Sequence, residues 1–222
     1  MSNTEKTQVP VSFAAIDPYI ETNIVSPTET RDRGKSYVQW GDGNRYPDYL
    51  VDLYRNVTTL RSAVNGCVDF TVGDDVTAAV PLWTEDRMNR KGDTARDLVR
   101  RLAWNAYLFG GFALQVILGN GGEVREVYAV DLDKLRTDEE NEVFWYSEHW
   151  GDRYVRSDKV IRYPKWMRGG KSDTSILWVK CQEYGAYPAP LYAAAVKACE
   201  TERSIDEYHL NAINNSFMGS YV

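Results

Sequence analysis

The segment "LYAAAVKACETERSIDEYHLNAINNSF", Leu191 to Phe217, holds neither proline nor glycine. In a helix interior those residues cost about 3 and about 1 kcal/mol relative to alanine. Their absence over so long a run predicts one continuous helix from about 188 to 217. At ~1.5 Å per residue the rod is on the order of 40 Å long, long for a globular domain. Leu191, Ala195, Ala198, Glu202, Ile205, His209 and Ala212 fall on one face in three-four steps, whereas Lys197, Glu200, Arg203, Asp206, Glu207 and Asn214 lie on the other surface. The apolar stripe is thin and interrupted. Helices gain most of their stability by packing an apolar face, so this one is expected to find its partners in copies of itself or in sequence following Val222. Lys197, Glu200, Arg203, Ile205, Asp206, Glu207 and Asn214 are its candidate subunit-interface residues.

Ahead of the rod, residues 1–45 are rich in Thr, Ser, Asn and Pro and include "TETRDRGKS" and "WGDGN". They read as a flexible arm. An α+β domain is expected over 46–187. "RYPDYLVDLYRNVTTL" predicts a helix with Pro47 in its first turn, where a missing N–H is harmless. "LRSAVNGCVDFTVGDD" predicts a second helix, with Leu60, Val64, Cys67, Val68 and Val72 at helical spacing. A third spans "GDTARDLVRRLAWNAYLFGG", capped by Asp93 or Thr94 and ended by Gly110-Gly111. "FALQVIL" and "EVREVYAVD" flank "GNGG", which predicts a tight hairpin of consecutive positive-φ residues. Further strands are expected at "EVFWYS", "DRYVRSDKVIRYP" and "SILWVKC". The fold class is therefore α+β: a small, mainly antiparallel sheet flanked by helices, then one long C-terminal helix, 188–222 including the segment past it.

A net charge of −6 gives the surface no general attraction for phosphate. Any nucleic-acid contact must be local, and one stretch has the composition for it. Arg153, Arg156, Lys159, Arg162, Lys165, Arg168 and Lys171 recur every third residue, with Tyr154, Tyr163 and Trp166 between them. Cations neutralise a phosphate backbone and rings offer stacking faces. A period of three fits neither a strand face nor a straight helix, so solvated strand edges and subunit contacts compete with that reading.

Catalytic chemistry finds little support. His149 and His209 are far apart in sequence and no nucleophile motif accompanies them. "GNGG" lacks the Lys-Ser/Thr of a phosphate loop and joins two strands. Cys67, Cys181 and Cys199 show no zinc or disulfide pattern, which favours a reducing compartment, and no apolar run approaches the ~20 residues that span a bilayer. No catalytic residue, metal or cofactor is expected. The 7 Trp and 15 Tyr suit strand faces and interfaces as well as cores, and point to a protein that associates.

Three stretches, in this order and spacing, resemble the first half of the portal proteins of tailed bacteriophages. They are "LRSAVNGCVDFTVGDDV", "WNAYLFGGFALQVILGNGGEVREVYAVD" and "PAPLYAAAVKACETERSIDEYHLNAINNSF", with "DKVIRYPK" at the place of a short strand. The resemblance covers most of 46–222. It implies a wing-like region over 46–187, a stem helix lining a channel, and the start of a clip at "SYV". It further implies a structural protein without catalysis, a phage capsid-vertex head-tail connector that forms a homo-oligomeric ring (a dodecamer by that resemblance). Double-stranded DNA would pass through the ring during packaging and ejection. Partners would be the packaging terminase, capsid and head-completion proteins, with no membrane; the place would be the virion, and the host cytoplasm during assembly. The candidate interface residues would then be channel or subunit-contact residues.

Two other readings stand beside it. One is a nucleic-acid-processing enzyme or subunit with Asp131 and Asp133 as metal ligands. The other is a soluble module binding a protein or glycan on its aromatic sheet face.

Overall fold

The structure, a computed structural model, describes residues 25–30, 36–74, 88–150, 160–170 and 172–216. α1 (Tyr46–Asn56) starts with Pro47 in its first turn, as expected, and buries Leu50 and Leu53 completely. One extended residue, Val57, separates it from α2 (Thr58–Val72), which buries Leu60, Val64, Val68 and Val72. Cys67, expected on that buried face, is exposed.

α3 (Ala95–Phe109) begins with a capping box. The Asp97 backbone N donates to the Thr94 hydroxyl at 3.2 Å, and the Thr94 backbone N donates to the Asp97 carboxylate at 3.0 Å, so two otherwise orphaned donors are satisfied. Gly110 ends the helix in the left-handed region, φ 85°. A Cβ there would also collide with the Ala189 carbonyl, so conformation and close approach both require glycine.

β1 (Gly111–Leu118) follows at once and pairs antiparallel with β2 (Val124–Val130). Their connection is a five-residue loop, not the expected tight turn. Gly119 N donates to Glu123 O at 2.8 Å, and Gly122 alone among the loop residues has positive φ, 81°.

The expected antiparallel strands divide between two three-stranded sheets. In the first, β1 lies between β2 and β6 (Thr174–Lys180), with Ala113 opposite both Val130 and Trp178. In the second, β4 (Val143–Tyr146) lies between β3 (Leu135–Thr137) and β5 (Ile161–Pro164). A parallel bridge between Lys165 and Ile176 joins them, with Trp166 N donating to Ile176 O at 2.7 Å. A short ribbon, β7 (Glu183–Tyr184) with β8 (Tyr187–Pro188), leads to the last helix.

The main core sits where α1, α2, α3 and both sheets meet, and the chain before α1 supplies part of it. Val38 and Trp40 are buried, and the Trp40 ring stacks on Tyr187 at 4.4 Å and 10°. Val38, Trp40, Gly41 and Asn44 are thus packed, whereas the composition of 1–45 suggested an arm. The aromatic rings of this segment gain more by burial than its polar residues gain by staying solvated. A second cluster, Met88, Leu98, Val116, Val127 and Ala129, lies under the β1–β2 hairpin.

α4 (Val196–Ser216) is shorter than the predicted rod. Pro190 to Ala195 turn instead, closing on Ala193 N to Pro190 O at 3.0 Å. At ~1.5 Å per residue its 21 residues span about 31 Å.

Candidate functional site

The first turns of α4 lie against the domain. Val196, Cys199 and Glu200 are buried, and Arg203 keeps only 15 % of its side chain exposed. The Arg203 guanidinium reaches Asp52 of α1 at 3.0 Å and Glu200 at 2.9 Å. Next to it, the Glu202 carboxylate accepts from Thr59 N at 3.2 Å and from the Thr59 hydroxyl. The N-cap of α2 is Val57, which has no polar side chain. Glu202 therefore caps α2 from across the fold, with its charge at the positive end of the helix dipole.

This inner face is not the apolar stripe read from the sequence. It is Val196 and Cys199 followed by charges that find partners on α1 and α2. Two candidate subunit-contact residues, Glu200 and Arg203, are consequently engaged within the chain. Lys197, Ile205, Asp206, Glu207 and Asn214 remain on the outward surface. That surface carries one cation, Lys197, against two anions, and is less acidic than the whole segment.

From Ile205 onward α4 leaves the domain. Every residue from Ile205 to Asn211 is exposed, and so are Ile213 and Asn214. Four of them are large and apolar: Ile205 at 50 %, Tyr208 at 70 %, Leu210 at 61 % and Ile213 at 56 %. At 3.6 residues per turn they form two pairs, Ile205 with Tyr208 and Leu210 with Ile213, whose centres lie about 140° apart around the axis. A helix covered by one neighbour shows one stripe; apolar groups on two sides call for cover on both. Tyr208, Leu210 and Ile213 were not picked out in the sequence, where a single stripe was sought. Their alternation with Asp206, Glu207 and Asn211 was the available signal.

The basic stretch is seen in part. Arg153, Arg156, Lys159 and Lys171 lie outside the described residues. Arg162, in β5, holds its guanidinium 5.9 Å from the Trp145 ring centroid, and Lys165 pairs with Glu142 at 2.8 Å. Arg168 is exposed in the turn after them.

An open cleft of about 520 Å³ lies between the two sheets. Its charges are largely paired: Lys134 with Glu148 at 2.8 Å, and Arg101 with Asp131 at 3.3 Å. Lys134 and the Tyr146 hydroxyl together hold the Glu148 carboxyl below its ordinary range. Asp131, one of the two carboxylates considered for a metal, is thus already taken by cations. Asp133, the other, has its pKa pushed up by burial and then by Asp131. Among the described residues no group of three His, Cys, Asp or Glu side chains is placed to hold a metal ion. His149 touches the Ser147 hydroxyl through its backbone N, and the His209 ring lies 5.8 Å from that of Tyr208. Among the described residues no helix is long and apolar enough to cross a membrane.

No family model matches the chain, and no curated protein matches it. Its fold, however, is that of chains in solved phage-like particles. It is similar to a chain in the virion of a native gene transfer agent particle, with a TM-score of 0.56 at 15 % identity over 74 % of this chain and 45 % of that one. It is similar to a chain in the neck of the native particle computed with C12 symmetry, with a TM-score of 0.56 at 17 % identity over 76 % and 46 %. A chain in the neck of the empty particle, computed with C6 symmetry, gives 0.54 at 15 % identity over 76 % and 47 %. The chain spans about half the length of these structures' chains.

Proposed function

We propose that the chain is a ring-forming portal protein of a phage-like particle, a passive conduit for DNA at the head-tail vertex. The observation that carries this is the outer part of α4, where apolar pairs on two sides of one helix leave the domain uncovered. In a closed ring each helix lies between two others, so its two sides are met by two different neighbouring copies. Likeness of fold to chains of virions and of symmetric necks supports the reading.

Duplex DNA carries about one charge per 1.7 Å of axis, and contacts that release many counterions would act as brakes on its passage. The outward surface of α4, with Lys197 against Asp206 and Glu207, offers no such grip. Arg162, Lys165 and Arg168 serve contacts between subunits, and the energy for packaging comes from a separate motor. The chain has no catalytic role of its own. Virion, capsid and terminase contacts follow from the same reading.

Sedimentation of the full chain against the double variant Ile205→Asp/Leu210→Asp tests it. Association of the parent chain and its loss in the variant, with equal thermal stability of the monomers, is the expected result. A parent chain that stays monomeric at high concentration would contradict the proposal.

A further inference from the structure

Phe70, on α2, is 90 % exposed, the most exposed large apolar side chain among the described residues. Beside it on the same helix Ala63, Gly66 and Cys67 are exposed too. Gly66 sits mid-helix, where glycine costs about 1 kcal/mol relative to alanine. No close contact among the described residues requires it, since a Cβ there would meet no atom within 4 Å. The result is one projecting ring beside a flat strip that another molecule can approach closely.

Elsewhere lies a socket of matching chemistry. An apolar pocket of about 200 Å³ opens between the chain before α1 and the turn that leads to α4, lined by Trp40, Tyr46, Tyr187, Pro188, Pro190 and Ala193. Cavities for small-molecule ligands run from about 300 to 1,000 Å³, so this one is scaled to a single side chain. Its walls are already held in place. Glu29 accepts from Ala186 N and Tyr187 N at 3.0 and 2.9 Å, and the Tyr187 hydroxyl donates to Val38 O and accepts from Thr137 N at 3.1 Å. A preformed socket needs little ordering when it is filled.

Knob and socket lie at opposite ends of α3. Phe70 is at its start, where Arg100 pairs with Asp69 at 2.6 Å and Arg96 donates to Gly73 O at 2.9 Å. The socket is at its end, where Gly110 abuts Ala189 and the Tyr192 hydroxyl donates to Leu108 O at 3.1 Å. The levels these contacts mark, Arg96–Arg100 and Leu108–Gly110, lie about ten residues or about 15 Å apart along the helix. Phe70 therefore cannot fill the socket of its own chain, but two different surfaces on one molecule are what a head-to-tail contact requires.

We propose that Phe70 of one copy inserts into the Trp40–Tyr187–Pro190 pocket of the next, forming an anchor of the subunit contact. This rests on the ring reading above. It adds a contact that the last helix does not supply, and aromatic anchors in fitted pockets carry a large share of interface energy.

The test uses the full chain and two variants, Phe70→Asp, which blunts the knob, and Ala193→Trp, which fills the socket. Each alone is expected to associate at least ten-fold more weakly than the parent, with unchanged circular dichroism. Mixed together they should form one-to-one pairs and stop there, because each variant retains the half of the contact that the other lacks. Should one variant fold poorly, Phe70→Ala and Ala193→Phe give the same comparison. Rings of the parent that persist undiminished in Phe70→Asp overturn the knob and leave the ring reading intact. Variants that weaken association but do not pair on mixing overturn the head-to-tail socket. A parent chain that never associates overturns both.

Discussion

Arg136 shows how much of this fold is held by a residue that composition gives no reason to notice. It is fully buried on a three-residue strand. Its guanidinium donates to Asn44 Oδ1 at 2.5 Å, to Asn44 O at 3.0 Å, and to the carbonyls of Asp133 at 2.8 Å and Leu135 at 2.7 Å. Trp150 stacks over it, 5.0 Å from the ring centroid. Asn44 reaches this position with φ 62°, a left-handed conformation that asparagine tolerates. The "WGDGN" turn is therefore the mount for a buried cation, which is why a segment that reads as loose in sequence is fixed. Nothing local in the sequence shows it, because Asn44 and Arg136 meet across ninety-two positions. Replacing Arg136 with Met leaves several buried acceptors unsatisfied and should lower the unfolding free energy by about 3 kcal/mol, read in urea titrations. Arg136→Lys should recover little of it, since an ammonium cannot span the fork. A loss below about 1 kcal/mol in either variant would count against this role.

Buried phenols make the same scale testable by pH. Burial, with Tyr184 nearby, pushes the Tyr46 pKa from 10.0 up to about 12. Burial likewise pushes Tyr187 and Tyr192 upward. A folded-state pKa above the unfolded one means the neutral phenol stabilises the fold. That stabilisation is complete below pH 10.0 and is lost as the pH rises through about 12. Stability should hold up to about pH 10 and then fall, less steeply in Tyr46→Phe. A Tyr46 phenolate signal already appearing at its ordinary pKa, with the chain folded, would refute it.

At the scale of elements, periodicity was a good guide wherever a helix or strand satisfies itself. The N-terminal cap of α3 was legible as Asp93 or Thr94, and the β1–β2 pairing because the glycine loop marks it; the return bond from Asp97 that completes the capping box was not. The α4 boundary was not, since absence of proline and glycine permits a helix without requiring one, and the Pro190 turn fixes the approach to the domain. Nor was the polar inner face of α4. Glu202 acts on an N-terminus 143 positions away, and no local pattern announces such a cap. Glu202→Gln should cost about 1 kcal/mol of stability and loosen the first turn of α2, read as faster amide exchange at Leu60 and Arg61. Unchanged exchange there would argue that Thr59 is capped otherwise. Ile205→Asp should do the opposite, leaving thermal unfolding of the monomer unchanged while weakening association at least ten-fold. Equal loss of folding and association would mean that Ile205 packs within its own chain.

For the whole molecule, the structure presents a domain whose last helix begins as part of its core and ends outside it. The division falls at Arg203, the last side chain tied to α1. Beyond it the helix carries apolar groups on two sides, and Ile205, Tyr208, Leu210 and Ile213 stand largely exposed there. On the proposed reading, copies of the chain arranged in a ring cover both sides. Electron microscopy of the full chain, at concentrations where it associates, tests this most directly. The expected result is a torus with the α4 segments around a central hole wide enough for duplex DNA. Particles in which α4 lies on the outer rim, or no closed ring at all, would contradict it.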